Sequence, residues 1–459
     1  MYSFTTGRRG RMLGASAAAV VAAALAVTGC SSSSSSTPSG ASPSNCFLSG
    51  TNSTSNGSSA TVSGPVTISF METMIGGAQK PAIQHLTDEF EAANPNIKVT
   101  LEGSPDYNTL EQNERDAVSA HKAPTIGQAY EGTVADFANS GVIDPLNSYV
   151  SGANSSALSS LYKGVQGDLK LCDGNTWMWP FSKSVYVNFY NPDLLKAANL
   201  AVPTTWDQYA AAAKAVSKNG VTGISIDPGG VGSISSGDIW FEILAQAYGT
   251  PVFDNDGQPQ FNSAAAVKAM NYLLDLKKSG ALATGKGYPG ETALGAGKGL
   301  DDISSVAGYS YEQQAVGSRF QLGTTDLPSG PAGKANQMNG GNLVIFSQAS
   351  AQQKAAAWKY MQFLSSASSQ AYWSTQTGYV PVTPQALPQM TSFTAQNPWM
   401  ITAANALQVA SGSAPVPWAD KAQYELGVAL TDVLQNNVAP QTALNKAQTD
   451  AKNDVKAAQ

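Results

Sequence analysis

Histidine, arginine and cysteine are scarce in this chain, and each shortage removes a class of chemistry. Among 459 residues there are two histidines, His85 and His121, and three cysteines, Cys30, Cys46 and Cys172. None of these falls at the spacing of a zinc site or of a Cys/His nucleophile, so no metal is expected. Acidic residues outnumber basic ones by 32 to 26, and only five of the basic residues are arginines. Three of those, Arg8, Arg9 and Arg11, crowd the N-terminus, leaving Arg115 and Arg319 for everything that follows. A nucleic-acid partner does not fit that balance. Cofactor fingerprints are also missing. Gly230-Val231-Gly232 has Ser235 where a dinucleotide loop needs its third glycine, and Lys298 is followed by Gly299 where a phosphate loop needs Ser or Thr. The Gly230 segment reads instead as a binding-site loop. Asp254-Asn255-Asp256-Gly257 reads as a tight turn and not a calcium loop. No Gly-x-Ser-x-Gly elbow with a partner histidine stands out, and the adjacent Asp301 and Asp302 read as a solvated loop. Neither a cofactor nor an enzyme is expected.

What is present begins with the leader. Arg8, Arg9 and Arg11 precede an apolar Ala/Val/Leu run over residues 12–27, which ends in Val27-Thr28-Gly29-Cys30. This resembles a lipoprotein signal peptide over residues 1–29, with Cys30 as the lipidated first residue of the mature chain. The alternative is an uncleaved anchor, for which the run is short, since about 20 apolar residues span a bilayer. Both readings put the body outside the cytoplasm, and the first ties it to the cell membrane by lipid alone. Arg8-Arg9 leaves the export route open. Residues 30–64 are almost entirely Ser, Thr, Gly, Asn and Pro past Cys30 and read as a flexible tether. Cys46 and Cys172 are expected to form a disulfide, because exported chains rarely keep exposed free thiols.

The body is longer than one core usually supports, so two lobes are expected. Val66, Ile68 and Phe70 alternate as a strand; Ile83, Leu86, Phe90 and Ala93 follow at helical spacing; Ile97, Val99 and Leu101 alternate again. A strand, helix, strand unit calls for parallel pairing and an α/β fold. Further strands are expected over residues 185–189 and 221–226, with helices over 206–216, 355–364, 399–409 and 424–434.

The aromatic residues Trp177, Trp179, Trp240, Trp418, Tyr107, Tyr130, Tyr309 and Tyr379 stand in loop-like contexts beside Gly, Pro, Ser or Asn. Singly, each is an ordinary packing residue. As a set they suit a sugar, whose C–H faces stack on rings while its hydroxyls take hydrogen bonds. Trp358 and Phe363 lie in an apolar helical stretch and read as core.

Several segments together resemble a known family: Phe90 followed by Asn94-Pro95-Asn96-Ile97-Lys98-Val99, Ala123-Pro124-Thr125-Ile126, Pro180-Phe181 leading to Tyr190-Asn191, Pro203-Thr204-Thr205-Trp206-Asp207, and Thr377-Gly378-Tyr379-Val380-Pro381-Val382-Thr383. They are similar to the family 1 extracellular solute-binding proteins of ABC importers, most of all to the sn-glycerol-3-phosphate and sugar binders. The resemblance implies a two-lobed, type II periplasmic-binding-protein-like α/β fold with a ligand cleft between the lobes. It implies a first lobe of residues 65–182 plus 342–380 and a second of residues 183–341 plus 381–459. It also implies ligand contacts at Tyr107, Tyr130, Glu131, Ser184, Gly340, Gly341 and Tyr379, with Glu131 accepting ligand hydroxyls and a further serine within residues 304–310. Trp179, Trp240, Tyr309 and Trp418 join them as candidate ring contacts. The partners it implies are a small sugar or polyol and the importer's permease subunits, with the protein itself a monomer.

Two departures from the pattern bear on the ligand. Met71-Glu72 replaces the family's aromatic-His pair, and the phosphate-reading arginine expected just past Pro417-Trp418 is missing, with Gln423 or Glu425 in its neighbourhood. Arginine grips phosphate with two parallel donors, which a lone lysine such as Lys421 does not reproduce. A neutral sugar is therefore expected ahead of glycerol 3-phosphate.

Overall fold

The structure, a computed structural model, describes residues 46–48, 60–151, 155–229 and 236–458. The leader, Cys30 and the Gly230-Val231-Gly232 loop lie outside the described residues. Among the described residues there are twelve strands: β1 Val66–Glu72, β2 Ile97–Gly103, β3 Ile126–Ala129, β4 Trp179–Pro180, β5 Ser184–Tyr190, β6 Ile224–Ile226, β7 Leu282–Thr284, β8 Asp301–Ser305, β9 Gly323–Thr325, β10 Asn336–Asn339, β11 Asn342–Ile345 and β12 Ala410–Ser411.

Two five-membered sheets follow from them. The first has the order β2-β1-β3-β11-β4, with β1 parallel to both β2 and β3 and β11 antiparallel to its neighbours. The second runs β12-β10-β5-β8, with β9 also pairing β5. A separate parallel pair joins β6 to β7. The alternation in β1 buries Ile68 and Phe70 completely, and Ile83, Leu86 and Phe90 of the helix Gln79–Ala93 are buried in the same core. Asn94 closes that helix and its amide side chain returns to the Phe90 carbonyl at 2.9 Å, which is what the Asn-Pro punctuation signalled.

The helix Trp206–Val216 falls where its period places it, and its start is fixed by Thr205, whose hydroxyl accepts the Gln208 N–H. The helix Ala351–Leu364 begins with a full capping box between Ser350 and Gln353. Trp358 is buried in it. The helices expected over residues 399–409 and 424–434 run Trp399–Ala406 and Ala419–Leu434. The strand expected from residue 221 begins only at Ile224, because Thr222 is drawn aside to the Lys298 carbonyl.

Asp301 and Asp302 depart from the solvated-loop reading. They lie on β8, opposite Tyr190 and Phe189 of β5, and are buried. Burial pushes the Asp302 carboxyl up to about 6 and that of neighbouring Glu312 up to about 10, so a shared proton replaces the solvent that the sequence suggested.

The chain passes between the sheets at Phe181-Ser182-Lys183, between β4 and β5, and at Gly340-Gly341, between β10 and β11. Lys183 also bridges to Val380. The candidate site is built around these crossings.

Candidate ligand cleft

Parallel strands deliver the next helix start to their C-terminal edge, and ligands in α/β sheets gather there. Tyr107 opens the helix Tyr107–Ser119 after β2, held by Asp106, whose carboxylate accepts the Thr109 N–H at 2.8 Å. Tyr130 caps the helix Glu131–Asn139 after β3. The two rings thereby meet, with centroids 4.0 Å apart and planes tilted by 31°. The crossing backbone at Gly341 lies against them. A Cβ there would stand 2.7 Å from the Tyr107 hydroxyl and 2.5 Å from Gln128 Nε2, so any larger residue must push these two side chains aside. Gln128 in turn accepts the Thr73 N–H at 3.0 Å and donates to the Ser182 hydroxyl at 3.1 Å. Tyr379 follows Gly378, a left-handed helix terminator at φ 81°, and stacks on Trp373 with centroids 5.9 Å apart. Burial, then the neighbouring tyrosines, pushes the Tyr107 hydroxyl far above its ordinary range; burial and then Tyr379 do the same to Tyr130. These phenols remain protonated and serve as both donors and acceptors.

From the second sheet, β5 contributes Ser184, buried and paired with Asn339, and Tyr186, whose hydroxyl accepts the Asn339 amide at 2.6 Å. Burial raises Tyr186, and the charges of Asp238, Tyr130 and Glu242 add to it, so the two tyrosine groups share one electrostatic environment. Glu242 is buried within the helix Ser236–Ala247 and accepts from two amides, Gln423 Nε2 at 2.6 Å and Gln337 Nε2. Burial and then Asp238 push its carboxyl up to about 8.

Beneath the crossings sits a charged triad. Lys183 Nζ donates to Glu131 Oε1 at 2.8 Å and to Asp168 Oδ2 at 2.6 Å, and lies 3.5 Å from the Gly340 carbonyl. Glu131 Oε1 also accepts from Asn342 Nδ2 at 2.8 Å. Burial raises Glu131, but Lys183 and its hydrogen bonds outweigh it and leave the carboxyl below the ordinary range. Burial and the Glu131 charge push Asp168 up to about 7, so a proton on Asp168 lets one lysine serve two acids.

Several residues named from sequence take other places. Glu131 does not face the cleft as a free acceptor; at 1% exposure its carboxylate is committed to Lys183 and Asn342. Trp179 is packed edge-on against Trp358 at 4.8 Å and donates to the Ser365 hydroxyl at 2.8 Å. Trp240 lies in a helix, not a loop, against Tyr209 and Trp206 at 5.5 and 5.7 Å. Trp418 is fully buried and donates to the Gly257 carbonyl at 2.7 Å. Trp177 is equally buried and donates to Asp173. Large rings gain most from complete burial, and each indole N–H of Trp177, Trp179 and Trp418 has an internal acceptor, so these rings are packing residues. Tyr309 stacks on Trp399 at 4.5 Å. Ser304 and Ser305 belong to β8, Ser305 accepting the Ala307 N–H, while Ser310 is exposed. Cys46 and Cys172 are joined by a disulfide, with their Cα atoms 5.3 Å apart. Sequence reasoning missed Gln128, Lys183, Tyr186, Glu242 and Asn339. Of these only Lys183 carried a signal, as a lone lysine in the Pro-Phe segment.

The family profile described as bacterial extracellular solute-binding protein matches residues 85–402, more than two thirds of the chain. The sn-glycerol-3-phosphate-binding periplasmic protein UgpB of Pectobacterium atrosepticum is 27% identical over 362 residues, covering 72% of this chain and 77% of that protein. The crystal structure of the cyclic alpha-maltosyl-1,6-maltose binding protein of Arthrobacter globiformis superposes with a TM-score of 0.77 at 18% identity, over 86% of this chain and 100% of that one. UgpB of Mycobacterium tuberculosis, in complex with glycerophosphocholine, gives a TM-score of 0.72 at 19% identity, over 86% of this chain and 99% of that one. These likenesses establish the two-lobed type II fold.

Proposed function

Since the chain belongs to the bacterial extracellular solute-binding protein family, we propose that it captures a sugar-like solute in the cleft between its lobes and delivers it to the permease of an ABC importer. The lobes are residues 65–182 plus 342–380 and residues 183–341 plus 381–459, a division supported by the strands of the first sheet falling entirely in one and those of the second entirely in the other. The protein works by binding without turnover, as a monomer outside the cytoplasm, anchored through lipid on Cys30.

One observation carries the choice of ligand. Where the resemblance places a phosphate-gripping arginine, the Gln423 amide is spent on the buried Glu242 carboxyl. A phosphate entering there would lose its hydration and meet a carboxyl whose side-chain hydrogen-bond partners are the amides of Gln423 and Gln337, which carry no charge to repay it. The tyrosines Tyr107, Tyr130, Tyr186 and Tyr379 instead offer ring faces and hydroxyls that both donate and accept, which is what a neutral saccharide needs. Ser184, Gly340 and Gly341 complete the lining. Glycerol 3-phosphate is the second reading, favoured by the 27% identical relative that bears its name.

The test is a thermal-shift titration of glycerol 3-phosphate, glycerophosphocholine and neutral saccharides from one to four units, at low ionic strength. A ligand at a hundredfold excess over its Kd adds about 2.7 kcal/mol, a rise of a few degrees for a chain of this size. The expected outcome is a saturable rise with a neutral saccharide and none with glycerol 3-phosphate; the opposite pattern hands the site to the phosphate.

A further inference from the structure

The short described segment Cys46–Leu48 lies at the end of the Ser-rich region, and it touches both halves of the body. Its covalent end is on the first, as residue numbering divides the lobes: Cys46 is bonded to Cys172, just beyond Leu169 and Leu171, which are buried in a large core that the first sheet shares with β5. Its other contact is on the second. The Phe47 ring stands edge-on to Trp418 with centroids 5.8 Å apart, in a small cluster with Val416, Ala419 and Val455. Trp418 caps the helix Ala419–Leu434, whose buried residues Ala422, Leu426 and Leu430 belong to the second core, and its indole is fastened to the Gly257 carbonyl of the neighbouring turn.

Beside Cys172 lies a groove of about 590 Å3, lined by Asp168 and Cys172 from the first half and by Ala414, Val416 and the Asp254–Gly257 turn from the second. The segment thus joins residues of both halves next to a space that both halves line. We propose that Cys46–Leu48 is a strap that restrains the second half against the first, fixed at one end by the disulfide and at the other by the Phe47–Trp418 contact. Capture by closure needs the halves to move, and the strap limits that movement on the groove side. It also makes the restraint sensitive to thiols. A dithiol reductant takes Cys46 and Cys172 to free thiols as it is itself oxidised to a disulfide, and Phe47 is then held by its packing alone. The proposal does not depend on which solute the cleft takes.

The experiment is hydrogen–deuterium exchange on the full chain in detergent, without ligand, comparing the unaltered protein, the protein treated with dithiothreitol, and Phe47→Ala with its disulfide intact. The quantity read is exchange over residues 414–426 divided by exchange in the helix Gln79–Ala93, a ratio that a general loss of stability leaves unchanged. Both treatments are expected to raise it by roughly three- to tenfold, the scale of one lost aromatic contact. Phe47→Leu, which keeps an apolar side chain there, is expected to recover most of the difference. A ratio that stays at its starting value in Phe47→Ala overturns the strap and leaves the disulfide as a staple of the first half only.

Discussion

The ammonium of Lys183 lies 2.8 Å from the Glu131 carboxylate, with side-chain exposures of 0% and 1%. The pair joins the helix start that carries Tyr130 to the strand start that carries Ser184, so it fixes the two sides of the cleft where the chain crosses between sheets. Asp168 completes it, and a Cβ added to Gly412 would lie 1.6 Å from the Asp168 carboxylate, so the segment after β12 is drawn into the same knot.

Lys183→Met removes the cation and leaves two acids facing each other without solvent. Breaking a buried pair in this way costs about 3–5 kcal/mol. Urea unfolding at pH 8 is expected to register that loss, and at pH 5 a smaller one, because the stranded acids take up protons. Equal stability of variant and parent at pH 8 removes the triad from the architecture.

Buried acids set the pH dependence. Burial and then Glu111 push Glu114 up to about 9, while Glu242 stands at about 8 and Asp168 at about 7. Their unfolded values lie near 4, so across the interval from about 4 to 9 the folded state holds more protons than the unfolded state. Stability is then fully present below the unfolded values and is lost as the pH rises through the folded ones. Melting temperature is expected to fall from pH 5 to pH 9, by the equivalent of about 1 kcal/mol or more. Glu114→Gln flattens the decline. A melting temperature that climbs over this range contradicts the assignment.

The two glycines of the second crossing have different jobs. Gly340 has φ +109°, and a Cβ there would lie 1.8 Å from the Ser182 carbonyl oxygen, a backbone atom that cannot move aside. Gly340→Ala is expected to destabilise the fold by about 2–3 kcal/mol. A Cβ at Gly341 would meet side-chain atoms and no backbone, the Tyr107 hydroxyl and Gln128 Cγ and Nε2. Gly341→Ala is therefore expected to keep the fold and lose affinity for the saccharide identified by titration. Denaturation and binding measured on both variants separate the two roles, and matching behaviour would refute the distinction.

Maleimide applied to the denatured, unreduced chain is expected to label neither Cys46 nor Cys172, and both after dithiothreitol, as read by peptide mass. Labelling before reduction would mean that the bond is absent from the protein.

Local order carried much of the architecture. The two-residue period of Val66, Ile68 and Phe70, the helical period from Ile83 to Ala93, the Thr205 cap and the Asp254–Gly257 turn are decided by interactions within a few residues, so the sequence alone determined them. The resemblance named Tyr107, Tyr130 and Gly341; in the structure the two rings meet and the Gly341 backbone lies against the Tyr107 hydroxyl. The tryptophans misled because a glycine or proline neighbour says nothing of what packs from elsewhere: Trp179 is closed in by Trp358, 179 positions on, and Trp418 by Gly257, 161 positions back. The roles of Lys183, Glu242 and Gln423 were illegible for a related reason, although Lys183 and Gln423 stood out by position. A charged or amide side chain within an apolar stretch acquires a role only from its partner, and those partners lie 52 and 181 residues away. The pairing of Glu131 with Lys183 in particular was decided by tertiary structure alone, because a carboxylate enters a water-free crossing only when the folded chain supplies a cation there.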